Sequence, residues 1–182
     1  MTQLNEIYNN RILELAANIG AVERLADADA TATAHSKLCG STVTVDLKMD
    51  GEVVAAFGQT VKACLLGQAA ASVMARNIVG TRAEELREVG GAMRRMLKQG
   101  GAPPAGRWAD LAVLEPVKDY KARHASTLLV FDAVEAALAA AQAKEAPAAP
   151  ASVRACAGPW GGELAARESC WPRFRSTPTA GA

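Results

Sequence analysis

Apolar and polar residues alternate through the second quarter of the chain, and this alternation predicts a β-hairpin. Over residues 42–49 every second residue is apolar, which is the period of a strand with one buried face. The apolar positions are Val43, Val45, Leu47 and Met49. Asp50-Gly51 predicts a two-residue turn, because both central positions of such a turn need positive φ. Residues 52–63 form the returning strand, in which Gly58 predicts a bulge or bend.

Helical spacing of apolar residues predicts helices on both sides of the hairpin. Residues 4–19 form the first helix, which Gly20 closes. Residues 65–79 are rich in helix formers and contain no proline, and Gly80 is placed to end that helix. The last long helix is predicted at residues 126–144.

Two further helices are predicted between these. Thr81 and Glu84 have the spacing of a capping box, which predicts a helix start, and Gly100 predicts the end of that helix. A short helix is expected over residues 108–114, before Pro116.

A short strand completes the predicted sheet. Residues 30–35, ATATAH, alternate and can pair with the hairpin. The predicted fold class is therefore α+β, with a three-stranded antiparallel sheet covered by helices and an N-terminal helix packed alongside.

Composition indicates one domain and a tail. The chain has 182 residues, 50% of them hydrophobic and 21% charged, which suffices for one domain with a proper core. We assign residues 1–144 to this domain. Residues 145–182 are rich in Ala, Pro and Gly and show no periodicity, so a disordered tail is predicted there. Its cysteines, Cys156 and Cys170, lack the spacing of a zinc motif.

Charge and composition also exclude several classes of partner. A net charge of +1 gives no reason to expect nucleic acid, and aromatic residues make up only 4% of the chain. No apolar run predicts a membrane span. The first ten residues lack the basic start and apolar stretch of a secretory signal. We therefore expect a cytoplasmic protein with four free thiols.

The hairpin brings two distant cysteines to one end of the sheet. Cys39 precedes its first strand and Cys64 follows its second. Cys64 also opens a helix, where the helix dipole and free N–H groups stabilise a thiolate, the metal-binding form of cysteine. Either cysteine alone is most simply a small buried hydrophobe. The convergence of both predicts a site.

These residues resemble those of the IscU/NifU-type scaffold proteins of iron–sulfur cluster assembly. The resemblance covers roughly residues 4–140. It rests on Cys39-Gly40, on Cys64, and on His124, which follows the Pro-Val-Lys sequence at residues 116–118. Two positions depart from the family pattern: Ser41 stands where the family has Asp, and Ala125 stands where it has a third Cys.

The resemblance implies a scaffold rather than an enzyme. Cys39, Cys64 and His124 would bind iron or a [2Fe–2S] cluster, with zinc as an alternative metal. A cysteine desulfurase would supply sulfur, and apo iron–sulfur or carrier proteins would receive the cluster. Three ligands are fewer than the four that such a cluster generally takes. A cluster completed from outside, a single zinc or iron ion, and no metal at all therefore remain open.

Two other functions are compatible with the same residues. Cys64 as a nucleophile with His124 as its base would make a cysteine-dependent enzyme. A zinc-binding regulator of a cysteine desulfurase is the other alternative. The chain has no glycine-rich phosphate loop, serine-nucleophile elbow or histidine–glutamate zinc helix.

Overall fold

The central sheet has three antiparallel strands in the order β1–β2–β3. The computed structural model describes residues 9–21 and 23–145. The strands are β1 (Ala30–His35), β2 (Thr42–Asp50) and β3 (Val53–Lys62). The predicted sheet and the α+β fold class are confirmed. The beginning of the predicted first helix and the predicted tail, apart from residue 145, lie outside the described residues.

The hairpin turn lies one residue later than predicted. Asp50 pairs with Val53, so the two-residue loop is Gly51-Glu52. Only Gly51 has a positive φ there, 58°. The register shifts beside Lys48, not at Gly58 as expected.

Gly58 has another role, which is to let a second stretch of backbone come close. A Cβ atom at Gly58 would lie 2.5 Å from the carbonyl oxygen of Glu23 and 3.1 Å from the amide nitrogen of Leu25. The segment that precedes β1 therefore crosses β3 at this glycine.

Four α-helices and one 3₁₀ segment complete the described fold. The α-helices are α1 (Asn10–Ala17), α2 (Leu65–Asn77), α3 (Ala83–Gln99) and α4 (Lys121–Glu145). The 3₁₀ segment is Gly106–Asp119, which extends the predicted short helix through Pro116.

Two predicted helix starts are wrong. The capping box is not formed, because Arg82 caps α3 while the Thr81 hydroxyl donates to the carbonyl of Asn77 at 2.6 Å. α4 begins at Lys121 rather than at residue 126, so His124 lies in its first turn and not before it.

α4 is the central helix of the domain. It packs against β1, β2, α2, α3 and the 3₁₀ segment. The apolar residues that it buries are Leu128, Leu129, Val130, Phe131, Ala133, Val134, Ala137, Leu138 and Ala141. A helix that is apolar on nearly every side requires neighbours on every side, and here the sheet and three helical elements supply them.

The burial of α4 explains why an apolar helix is present although the sequence analysis expects no membrane span. By length and composition alone, residues 121–144 are apolar enough to cross a membrane. In the fold, 67% of an apolar 18-residue window within that stretch is buried inside the protein. α4 is therefore explained as a core helix.

A buried carboxylate ties the segment before β1 to the sheet. Asp46 is fully buried and binds the Arg24 guanidinium, with Nη2 to Oδ1 at 2.9 Å. It also accepts hydrogen bonds from the Thr31 hydroxyl at 2.6 Å and the Leu25 amide at 3.2 Å. The bond to Arg24 holds the pKa of Asp46 below its ordinary value despite burial.

Asp46→Asn should lower the free energy of unfolding by about 2 kcal/mol at pH 7, because it removes charge-assisted hydrogen bonds from a buried site. The pKa of Asp46 is lower in the folded state, so its stabilisation is present above its unfolded-state pKa of about 3.9. It is lost as pH falls through the folded-state value. Urea unfolding over a pH series should therefore show the difference between wild type and variant shrinking below about pH 4.

Asp27→Asn is the matched control, since Asp27 pairs with Lys48 on the surface and its side chain is 69% exposed. It should change stability little. Equal losses from the two variants would contradict the role given to Asp46.

Candidate thiol site

The sheet register places both hairpin cysteines at one end. His35 pairs with Thr42, and Thr42 pairs with Lys62 on the other side. Cys39 lies in the loop between the first two of these residues, and Cys64 lies two residues beyond the third. We call residues 35–42 and 62–66, with the first turn of α4, the thiol end.

A tight loop presents Cys39 to solvent. The Ser36 amide donates to the Ser41 carbonyl at 2.8 Å, and the Gly40 amide donates to the Ser36 carbonyl at 2.9 Å. Gly40 has φ 69°, which a residue with a side chain rarely adopts. Cys39 lies within the loop that these backbone hydrogen bonds close, and it is exposed.

Hydroxyl groups make Cys39 acidic. Its sulfur lies 3.3 Å from the Ser36 hydroxyl oxygen and 3.0 Å from that of Ser41. Hydrogen bonds from these hydroxyls and from the Ser41 amide, with a smaller contribution from the charge of Arg123, lower the pKa of Cys39 to about 7. A large fraction of this thiol is therefore ionised at neutral pH, in the form that binds soft metals.

Cys64 caps α2, as the sequence predicts. Its backbone is extended, with φ −66° and ψ 167°, and its carbonyl accepts from the Gln68 amide at 2.9 Å. The side chain makes no capping bond but lies 3.4 Å from the Ser126 hydroxyl. Cys64 is half-buried, whereas Cys39 is exposed.

The start of α4 links the two thiols. Arg123 acts electrostatically on Cys39, and Ser126, three residues later on the same helix, contacts Cys64. Gly67 permits this approach, because a Cβ atom there would lie 2.9 Å from the Ser126 carbonyl oxygen. The first turn of α2 and the second turn of α4 therefore meet at the thiol end.

His124 occupies the same turn of α4 and is nearly buried, with 9% exposure. Its Nε2 lies 3.1 Å from the carbonyl oxygen of Val117 and 3.0 Å from that of Lys118. Two acceptors at this nitrogen favour a proton on Nε2. In the neutral ring Nδ1 is then the atom with a free lone pair.

The structure does not gather the three predicted ligands into a metal cluster. Within the described part of the chain, no three His, Cys, Asp or Glu side chains stand close enough together to hold a metal ion. The joint site of Cys39, Cys64 and His124 therefore stays a prediction. The geometry also gives no support to a Cys64–His124 dyad, because the described contacts direct Cys64 to Ser126 and the His124 Nε2 to backbone carbonyls.

The site contains hydroxyl groups that sequence reasoning missed. Ser36 is only three residues from Cys39. A short loop closed by Gly40 could have indicated that the two side chains lie close together. Ser126 contacts Cys64 across 62 residues of sequence, so no local signal reveals it. Ser41 and Ala125, the two departures from the family pattern, lie respectively against Cys39 and between His124 and Ser126.

Comparisons with known proteins agree with this fold. The chain is similar to the N-terminal part of a nitrogen-fixing NifU-like protein from Brucella abortus, whose crystal structure is known. The two share 57% sequence identity, and their structures superpose with a TM-score of 0.77. The match covers 79% of this chain and 99% of that one. The iron–sulfur cluster assembly scaffold protein IscU of Thermotoga maritima is 26% identical over 132 residues, which are 72% of this chain and 92% of that protein.

A more distant structure shares the fold. It is an iron–sulfur cluster assembly scaffold protein for the SUF system from Fervidobacterium islandicum, 22% identical, with a TM-score of 0.68. That match covers 74% of this chain and 98% of that one. No family model matches the chain.

The fold and the paired thiols define a small α+β domain with two cysteines at one end of its sheet. Identity of 57% across nearly the whole of the NifU-like domain decides which class this is. The chain belongs to the NifU-like family.

Cys39 should react with iodoacetamide along a titration curve centred near pH 7. Ser41→Ala removes a hydrogen bond to the thiolate, so the midpoint should rise and the rate at pH 7 should fall about two- to fivefold. Peptide mass spectrometry separates Cys39 from the other cysteines. Ser126→Ala removes the hydroxyl beside Cys64 and no contact of Cys39, so it should leave the Cys39 midpoint in place. A midpoint unmoved by Ser41→Ala would refute the hydroxyl contribution.

Gly67→Ala should push the first turn of α2 away from α4, because the new methyl group would lie 2.9 Å from the Ser126 carbonyl oxygen and 2.8 Å from the Ala63 Cβ. We expect a loss of about 1–3 kcal/mol in the free energy of unfolding and faster alkylation of Cys64. Gly91→Ala is the matched control, because its nearest contact is the end of the Arg95 side chain at 3.4 Å. That variant should be neutral or stabilising, as alanine favours a helix. Equal behaviour of the two variants would count against the close approach.

Proposed function

We propose that this protein is a scaffold on which iron and sulfide assemble into an iron–sulfur cluster. The observation that carries the proposal is the convergence of Cys39 and Cys64 on the start of α4, in a chain 57% identical to a NifU-like domain. The T. maritima relative is itself named as an iron–sulfur cluster assembly scaffold protein.

The ligand chemistry fits this cargo. Thiolates are the usual ligands of iron–sulfur clusters, and imidazole can replace thiolate on iron. We assign Cys39 and Cys64 as the thiolate ligands. His124 would bind through Nδ1, because a hydrogen bond from the other ring nitrogen to a backbone carbonyl is typical of metal-ligating histidines.

The unequal exposure of the two thiols suits a site that both loads and releases its cargo. Cys39 is exposed on a loop, so a partner can reach it. Cys64 is half-buried and held by a helix start, so it can retain the cargo while Cys39 exchanges. A structural metal site would instead be closed on every side.

The chain offers three candidate ligands, so a partner would have to supply the fourth. A [2Fe–2S] cluster generally takes four protein ligands, and Ala125 supplies none. The remaining position would be filled by a thiol from outside, either from the sulfur donor or from the acceptor. A cysteine desulfurase would deliver the sulfur, and apo iron–sulfur or carrier proteins would accept the cluster. A single iron or zinc ion would also fit a site of two thiolates and one imidazole.

Anaerobic reconstitution of the full chain with ferrous iron and sodium sulfide should give a coloured protein with bound iron and sulfide. Cys39→Ala, Cys64→Ala and the double variant should each lose most of the bound iron, because a shared cluster couples its ligands. Cys156→Ala and Cys170→Ala are the controls and should reconstitute like wild type. Ala125→Cys should bind more iron and release it more slowly, since it adds a soft, charged ligand.

Each result has a distinct meaning. Cluster formation that depends on Cys156 and Cys170 but not on the hairpin cysteines would overturn the proposal. Metal without sulfide in the analysis would favour the zinc or iron site. Stoichiometric turnover-dependent labelling of Cys64 by a substrate-like electrophile would favour the cysteine-dependent enzyme.

A further inference from the structure

The two edges of the sheet differ in what covers them. The outer edge of β3 is bonded to other parts of the chain. The Gln59 amide donates to the Ala21 carbonyl at 2.8 Å, and the Val54 amide donates to a carbonyl of the loop before α3 at 3.0 Å. β1 forms the other edge, and within the described residues it pairs with β2 alone. One side of the β1 backbone is therefore without a strand partner in this part of the chain.

The ladder shows which backbone groups of β1 face outward. The Ser36 amide donates to the Ser41 carbonyl at 2.8 Å, so these two residues form a hydrogen-bonded pair. Such pairs alternate along an antiparallel ladder, and the register then gives the bonds to β2 to Ala34, Ala32 and Ala30. The residues between them point their N–H and C=O groups away from β2, and these residues are Thr31, Thr33 and His35.

The outward groups of β1 are accessible. All three residues that carry them are exposed, and no backbone hydrogen bond reaches them from residues 9–21 or 23–145 outside the sheet. β1 also lacks the features that protect an edge strand from pairing. It has no lysine, no proline and no shift in register along its six residues. An edge of this kind is a template for another strand.

The helix beneath β1 leaves this edge open. The Lys144 ammonium donates to the carbonyl of Asp29, directly before β1, so this side of α4 lies beside the strand. Ala140 and Ala136 precede Lys144 at intervals of four residues and share its side of the helix. Side chains this short leave room for a second sheet to approach.

We propose that β1 pairs in an antiparallel arrangement with β1 of a second copy of this chain, which joins two three-stranded sheets into one. The register is centred on Thr33, which lies opposite Thr33 of the second copy, while Thr31 lies opposite its His35. This register satisfies every outward backbone group of both strands, with two hydrogen bonds in each of the three pairs. The interface is two-fold symmetric, so each copy contributes the same surface.

Charge favours a second copy over an unrelated extended peptide. Asp29 precedes β1 by one residue, and Lys37 follows it by two and is exposed. In the register centred on Thr33, Asp29 of one copy comes opposite Lys37 of the other. The two-fold symmetry produces this attraction at both ends of the paired strands. The edge of β1 is therefore complementary to itself.

The antiparallel pairing keeps the two thiol sites apart. Each β1 runs toward its own thiol end, so the two thiol ends point in opposite directions. Ser36 lies three residues beyond Thr33, which is about 10 Å along an extended strand, so the two Ser36 residues lie about 20 Å apart. A second copy paired in this way does not supply the fourth ligand of the proposed cluster, and both Cys39 loops stay open to other partners.

Sedimentation of the full chain over a range of concentrations tests the pairing. The protein carries no metal and is kept in a chelator and a reductant, so neither a bridging cluster nor a disulfide can join two copies. We expect a reversible equilibrium between monomer and dimer. A chain that stays monomeric at every concentration would overturn the proposal.

Thr33→Pro should weaken the dimer about tenfold or more. Proline removes the outward N–H from both copies, while the bonds between β1 and β2 are left in place because they come from the alanines. The circular dichroism spectrum should be that of wild type. A folded variant that dimerises as wild type does would contradict the proposal.

Charge exchange at the same position tests the register. Thr33→Lys places like charges opposite each other in the dimer and should weaken it about three- to fivefold, as should Thr33→Glu. An equimolar mixture of these two variants should dimerise at least as well as wild type, because each lysine then faces a glutamate. Thr60→Lys and Thr60→Glu are the matched controls on the same face of β3 and should change nothing. A mixture that fails to recover would overturn the pairing centred on Thr33.

Amide hydrogen exchange gives a readout that needs no substitution. The amides of Thr31, Thr33 and His35 should exchange quickly in dilute protein and more slowly as the concentration rises. Those of Ala32 and Ala34 bond to β2 and should be protected throughout. Unchanged exchange at the outward amides of a sample that dimerises would place the interface elsewhere and overturn the proposal.

Reconstitution with iron and sulfide separates this inference from the proposed function. Thr33→Lys should bind as much iron per chain as wild type, because each thiol site lies within one copy. A chain that dimerises but binds no cluster would contradict the proposed function alone. A lower yield in Thr33→Lys than in Thr60→Lys would mean that the thiol sites depend on the pairing, and it would overturn the arrangement in which they point apart.

Discussion

The contact between the first turn of α2 and the second turn of α4 is the constraint on which the positions of the two thiols depend. It exists because Gly67 has no side chain to hold the Ser126 carbonyl away. α4 is in turn fixed by burial on nearly every side from Ser126 onward, which holds the Ser126 carbonyl in place. The position of Cys64 is thus determined by core packing, whereas that of Cys39 is determined by a short loop at the edge of the sheet.

Much of the fold follows from local sequence patterns. The strands follow from alternation, and β1 was predicted at its observed bounds. The turn and the bulge were misplaced because Gly51 and Gly58 were read from turn statistics alone. Gly58 is explained by the backbone of Glu23, which passes over it, and that approach is invisible in a single sequence. The start of α4 was misplaced for a similar reason, since its first turn is held by contacts with the 3₁₀ segment rather than by a capping signal.

The candidate site was predictable only in part. The convergence of Cys39 and Cys64 follows from the topology of a hairpin. The hydroxyl groups that contact each sulfur were not predicted, because Ser126 reaches Cys64 from another element. The hydrogen bonds of His124 to the Val117 and Lys118 carbonyls were not foreseen either. These bonds engage Nε2 of His124, so they indicate that Nδ1 is the ring nitrogen left to bind a metal.

The two departures from the family pattern act in opposite directions at the two thiols. The resemblance sets Ser41 against an aspartate of the family and Ala125 against a cysteine. The Ser41 hydroxyl stabilises the Cys39 thiolate, which a carboxylate at that position would oppose. Ala125 offers no thiolate, so on the proposed function the missing ligand would come from a partner. The exposure of Cys39 at the edge of the sheet would let such a thiol approach.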